Sequence, residues 1–199
     1  MIFYPNYHST SEKVFLGTTI PASATVNVGG DIDIALDRLF NHANTAPFIS
    51  HRLIQQLVTS NPSAAYVGRV AAVFANNGSG VRGDLGAVVR AILTDTEARS
   101  VSAATSSASF GKLREPLIRM ANWARAFGAT SQTGNYLITS TSSNTSLSQS
   151  PLSSPSVFNF WRPGFTPPGT TQLGQRTLVA PEFQVVDEVT AAAYVNYVQ

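Results

Sequence analysis

Apolar residues that recur every third or fourth position, in one segment after another, limit most strongly what this chain can fold into. Ile49, Leu53 and Leu57 stand four apart, flanked by Ile54 and Val58, which predicts one apolar helical face after the turn Asn44-Thr45-Ala46-Pro47. The segment before it carries Ile34, Ala35, Leu36, Leu39 and Phe40 with Asp33 and Asp37 on the other side, and Asp31 is its expected cap. A third helix is expected to open at Asn61-Pro62 and to bury Tyr66, Val67, Val70, Ala71, Val73 and Phe74 before Asn76-Asn77-Gly78 stops it. Asp84 caps a fourth with Leu85, Val88, Val89, Ile92 and Leu93 inward. Ser109 is the expected cap of a fifth, which holds Leu113, Leu117, Met120, Ala124 and Phe127. Pro181 to Val198 repeats the pattern with Phe183, Val186, Val189, Ala193, Tyr194 and Tyr197. Short connections favour antiparallel neighbours, so the expected fold is mainly α: a helical bundle of about six helices.

The remainder is irregular. Residues 1–30 contain short β-like runs, Lys13-Val14-Phe15-Leu16 and Thr18-Thr19-Ile20, broken by Gly17, Pro21 and Gly29-Gly30, and predict a small extended or β region. From Ala126 to Trp161 there is no charged residue, and 14 of the 26 residues from Ser131 to Ser156 are Ser or Thr, so a long surface loop or linker is expected there. Phe158 to Gly169 then packs four aromatics and three prolines into twelve residues. The organisation read from these changes is a helical core with its extended segment over 1–128, a Ser/Thr-rich loop over 129–157, and an aromatic-proline strap with a final helix over 158–199. The chain opens inside what reads as a β element and closes at Gln199 while the last helix keeps its period. A C-terminal piece of a longer polypeptide, or a short paralogue of one, is therefore expected.

Composition removes several functions. Cysteine is absent, so thiolate metal sites, iron–sulfur clusters, disulfides and thiol nucleophiles are excluded. No apolar stretch is long enough for a membrane-spanning helix. The 13 basic residues are spread along the chain against 11 acidic ones, a pattern that disfavours nucleic acid. His8, His42 and His51 show no metal-binding spacing, no Gly-x-Ser-x-Gly elbow occurs, and Gly78-Ser79-Gly80-Val81-Arg82-Gly83 lacks the Lys-Ser/Thr ending of a phosphate loop, so no catalytic signature, metal or cofactor is expected. In Arg82-Gly83-Asp84 the expected roles are a backbone bend at Gly83 and a helix cap at Asp84.

A set of ordered motifs carries a resemblance. Tyr4-Pro5-Asn6-Tyr7-His8-Ser9-Thr10, Phe15-Leu16-Gly17, Leu39-Phe40-Asn41-His42, Leu53 to Pro62, Gly111-Lys112-Leu113-Arg114-Glu115-Pro116, Phe158 to Pro168 and Ala180-Pro181-Glu182-Phe183-Gln184 resemble a large bacterial family of uncharacterised proteins, domain-of-unknown-function family eighteen hundred. The chain is similar to the C-terminal half of typical members, which are largely helical and often encoded beside exported proteins. The resemblance implies an exported bacterial protein, periplasmic or extracellular, whose N-terminal half and export signal lie outside this chain. It implies no activity.

Two groups of residues are candidate sites. Trp161, Arg162 and Phe165 in the strap offer a flat apolar ring beside oriented guanidinium donors, the chemistry of a glycan-stacking or partner-docking surface; the alternative is that they strap the bundle as a satellite core. His8, Lys112, Arg114, Glu115 and Glu182 are a candidate polar cluster that could hold a carboxylate for acid–base work; the alternative is a structural ion-pair network. The favoured function is a non-catalytic structural or interaction module that binds a partner protein or a surface polysaccharide. Its competitor is a hydrolase-like enzyme whose site is shared with a missing N-terminal half and uses Glu115, His8 or His51. Convergence of the five polar residues in one cleft would favour the enzyme, and scatter would favour the module.

Overall fold

A computed structural model describes residues 2–169 and 171–199, and the protein is mainly helical. Two short antiparallel strands come first, β1 (Lys13–Phe15) and β2 (Thr18–Ile20), with Lys13 opposite Ile20 and Phe15 opposite Thr18. The two turn residues between them, Leu16 and Gly17, both have positive φ, 47° and 73°, as a two-residue primed turn requires. Leucine is strained in that region, and the Arg38 guanidinium holds it there by donating Nε–H to the Leu16 carbonyl at 2.7 Å.

Helix α1 (Val28–Phe40) starts before Asp31, because Asn27 and not Asp31 is the cap: its Oδ1 accepts the Gly30 N–H at 3.1 Å. A Cβ on Gly30 would lie 2.3 Å from the Asn27 amide nitrogen, so this glycine makes room for the cap instead of breaking the helix. Helices α2 (Thr45–Leu57), α3 (Ala64–Ala75) and α4 (Leu85–Thr94) pack on one another, and Ala46, Ile54, Tyr66, Val70, Phe74, Val88 and Ile92 form their shared core. Fully burying a side chain such as Ile54 or Val70 contributes about 1.5–3 kcal/mol. Asp84 caps α4 as expected, accepting the Ala87 N–H at 3.0 Å. Ser63 caps α3 in place of Asn61. The Asn61 amide pairs instead with the backbone of Val179, donating Nδ2–H to its carbonyl at 2.8 Å and accepting its N–H at 2.9 Å.

Two short helices were not expected, α5 (Val101–Ser106) and α7 (Gln172–Gln175). Helix α6 (Pro116–Ala126) begins at Pro116 and not after Ser109. Proline suits the first helical position, and Thr59 holds the chain ahead of it by accepting the Gly111 N–H at 2.9 Å. The last expected helix is split into a 3-10 turn, Pro181–Gln184, and α8 (Glu188–Val198), which Asp187 and Thr190 open with a reciprocal capping box. The mainly helical fold is as expected, with the shared buried core on α2, α3 and α4. No residue of α1 is buried, and Phe127 at the end of α6 is 76% exposed. Helix α1 meets the core at its C-terminal end, where the Phe40 and Phe74 rings lie 6.1 Å apart.

Between α6 and α7 the described residues form neither helix nor strand beyond a bridge between Ser156 and Asn159. Thr141, Leu147 and Gln149 within this stretch are nevertheless buried.

Four aspartates hold these elements in ways that depend on their charge. Asp31 is kept below the usual 3.8 by hydrogen bonds from Lys13 and then His8, Asp95 chiefly by Arg69, and Asp84 and Asp187 by the backbone N–H groups of Ala87 and Thr190 that they cap. A carboxylate whose folded pKa lies below its unfolded one stabilises the fold above the unfolded value and loses that contribution as pH falls through the folded value. The urea unfolding midpoint is therefore expected to hold from about pH 7 to 5 and to fall steeply below about pH 4; a midpoint unchanged down to about pH 2 would contradict these capping roles.

Candidate functional site

The end of α2 sets one wall of the site. Arg52, Gln55 and Gln56 follow each other at helical spacing and form a polar stripe on α2, whose other face is core, and Thr59 lies just past its end. Gln55 is buried: its Nε2–H bonds to the Ser60 carbonyl at 3.0 Å, and its Oε1 accepts from Arg52 Nη1 at 2.8 Å. Thr59 and Ser60 then clasp Gly111, with the Ser60 N–H donating to the Gly111 carbonyl at 2.9 Å, and this fixes the extended stretch that carries Lys112.

Lys112 forms an ion pair with Glu182, which the 3-10 turn presents from the other side; the side chains are 7% and 1% exposed. The Glu182 carboxylate accepts no hydrogen bond of ordinary geometry among the described residues. Burial pushes the Lys112 ammonium down to about 8, Arg114 adding to the effect and Glu115 opposing it, so the lysine remains charged at neutral pH. Trp161, Pro163 and Pro181 close the apolar side of a cleft of about 160 Å³ that Arg52, Gln56 and the ion pair line from the polar side.

The strap is pinned over this cleft by its backbone. The Arg162 N–H donates to Gln184 Oε1 at 2.8 Å, and the Phe165 carbonyl accepts the Ala180 N–H at 2.8 Å. Trp161 is correspondingly 6% exposed, so of the two alternatives for the strap its ring takes the inward one: in a segment tied at both ends the largest apolar side chain turns inward. Arg162 is exposed and Phe165 half-buried.

The five polar candidates do not converge. Lys112 and Glu182 meet, whereas His8 Nε2 lies 2.7 Å from Asp31 Oδ2 in a group completed by Lys13. Arg114 is exposed, and Glu115 accepts a hydrogen bond from Gln149, whose Oε1 takes the Leu117 N–H at 3.1 Å. Arg82-Gly83-Asp84 is consumed by the fold: the Arg82 guanidinium bonds to the Phe40 carbonyl at 3.0 Å and lies over the Phe40 and Phe74 rings, and a Cβ on Gly83 would sit 2.6 Å from the Phe40 ring. Sequence reasoning missed Arg52 and Gln55. The signal was present, polar residues at i, i+3 and i+4 on α2 opposite its apolar face. Among the described residues no three His, Asp or Glu side chains gather as metal ligands, and no helix is long and apolar enough to cross a membrane.

The class defined by this geometry is a mainly helical domain with a compact three-helix core, a proline-rich strap and a small charged cleft between them. The chain belongs to the family described as protein of unknown function (DUF1800), whose family model matches residues 1–199. No curated protein and no solved structure matches it.

Proposed function

We propose that this domain is a non-catalytic interaction module of an exported bacterial protein, holding a partner protein through the apolar surface that runs from α1 across Phe48 to α3. The observation that carries this reading is the outward stripe of α1. Leu36 and Leu39 follow Ile32 at helical spacing, the pattern of a core helix, yet they are 54% and 50% exposed. Beside Leu39 lies a groove of about 190 Å³ that also takes in Leu16 and Phe48, and Phe48 is shared with a wider groove of about 530 Å³ reaching Pro47, His51 and Val67. Neither wall contains a carboxylate, and Arg52 lies 5.4 Å over the Phe48 ring, so the surface suits an apolar segment edged with acidic residues. Of the residues named for the hydrolase reading, His8 and Glu115 are each engaged with separate partners, and His51 lines the wider groove without either of them.

The test is site-specific photo-crosslinking in the source cell. A benzoylphenylalanine placed at Phe48 or at Leu39 is expected to capture the same discrete protein, and one placed at Val101, exposed on α5, is expected to capture none. Equal labelling from all three positions, or none from Phe48 and Leu39, would remove the proposal.

A further inference from the structure

We propose that the cleft between α2 and the strap is a subsite for one acidic monosaccharide residue, a hydroxylated ring that carries a carboxylate. This inference shares Arg52 with the docking surface, where its guanidinium lies over Phe48, and rests on four features of the cleft.

The first is size. About 160 Å³ corresponds to roughly five waters at ~30 Å³ each, room for a single ring and not for a chain of them. The second is the division of the walls. Trp161, Pro163 and Pro181 offer apolar edges to the C–H face of a sugar, and polar groups converge from the opposite side, the composition of a small-molecule site. The third is unused hydrogen-bonding capacity. Arg52 spends one Nη1–H on Gln55, and its remaining donors meet no acceptor among the described residues. The exposed Gln56 amide makes no side-chain hydrogen bond among them, and Oε2 of the buried Glu182 carboxylate, whose Oε1 faces the Lys112 ammonium, accepts none. Hydroxyl groups are both donors and acceptors and can satisfy all three. The fourth is charge: Lys112 and Glu182 offset each other, which leaves the Arg52 guanidinium as the net charge on the wall, and a guanidinium fork selects a carboxylate.

The probe is galacturonate, titrated against the intact 199-residue chain and followed by ligand-observed NMR, with glucose, acetate and glycine as comparisons. Saturable galacturonate binding of roughly millimolar affinity is expected, as suits a ligand of this size. Glucose should bind about tenfold more weakly, the loss of one charge-assisted contact. Arg52→Gln should erase the preference for galacturonate, and Gln56→Ala should weaken both sugars by a few-fold, about one neutral hydrogen bond, each variant keeping the wild-type urea midpoint as evidence of folding. Leu39→Glu, which breaks the docking surface, should leave galacturonate binding unchanged. The proposal is overturned if galacturonate does not saturate, if Arg52→Gln keeps the preference, or if acetate or glycine binds as well as galacturonate, which would make the cleft a simple anion or zwitterion site.

Discussion

Replacing Lys112 by methionine is expected to lower the unfolding free energy by about 3–5 kcal/mol, one of the two largest effects expected from any single substitution in this chain. The reason is the partner left behind. Glu182 is 1% exposed and accepts no hydrogen bond among the described residues, so without the ammonium its charge is buried and uncompensated. Glu182→Leu leaves the lysine in the same position, although Lys112 already sits near 8 and can shed its proton, so its cost should be the smaller of the two. The double variant Lys112→Met with Glu182→Leu is expected to recover most of the loss, because a buried ion pair replaced by apolar groups of similar volume is near neutral. Urea denaturation followed by circular dichroism measures all three. Additive losses in the double variant would show that the two side chains do not act as a pair.

The second large effect belongs to Tyr66. Its side chain is fully buried between α3 and α4, and its hydroxyl donates to the Ile92 carbonyl at 2.6 Å. Tyr66→Ala should cost about 3–5 kcal/mol through the cavity it opens, and Tyr66→Phe about 1 kcal/mol through the lost hydrogen bond. Phe127→Ala, on a ring of similar size that is 76% exposed, should fall within about 0.5 kcal/mol of wild type. Burial, reinforced by Asp95 and Glu97 and opposed by Arg69, pushes the Tyr66 phenol up to about 12. A folded pKa above the unfolded value of 10.0 means that its contribution is complete below pH 10 and is lost as pH rises through about 12. Equal costs for the alanine variants at Tyr66 and Phe127 would show that the core is not centred on α2 to α4.

Those three helices were legible from their periodicity, and α4 from its cap as well. Tyr66, Val70 and Phe74 in α3 and Val88 and Ile92 in α4 stand four apart, and Asp84 is followed directly by an apolar run. The start of α1 was not legible, because Gly29-Gly30 reads as a break until the Asn27 amide is seen occupying the space a Cβ would need. The periodicity of α1 was read correctly as helix and wrongly as core: an apolar stripe records that a face avoids water, and the covering surface can belong to another molecule. Lys112 and Glu182 could be singled out as charged residues in apolar surroundings. Their pairing could not, because it depends on Thr59 clasping Gly111 and on a turn that interrupts the last helix. Whether Trp161 faces outward or inward stayed open, since no local pattern reveals that the strap is tied at Gln184 and Phe165.

The Asn61 clasp on Val179 spans 118 positions of the chain. Closing so wide a loop is entropically slow, whereas α2, α3 and α4 are neighbours in sequence and can collapse without it. The bundle can therefore compact while the amide of Asn61 still waits for Val179, and Pro181 and Glu182, two and three residues further on, reach the wall of the cleft only with that late closure.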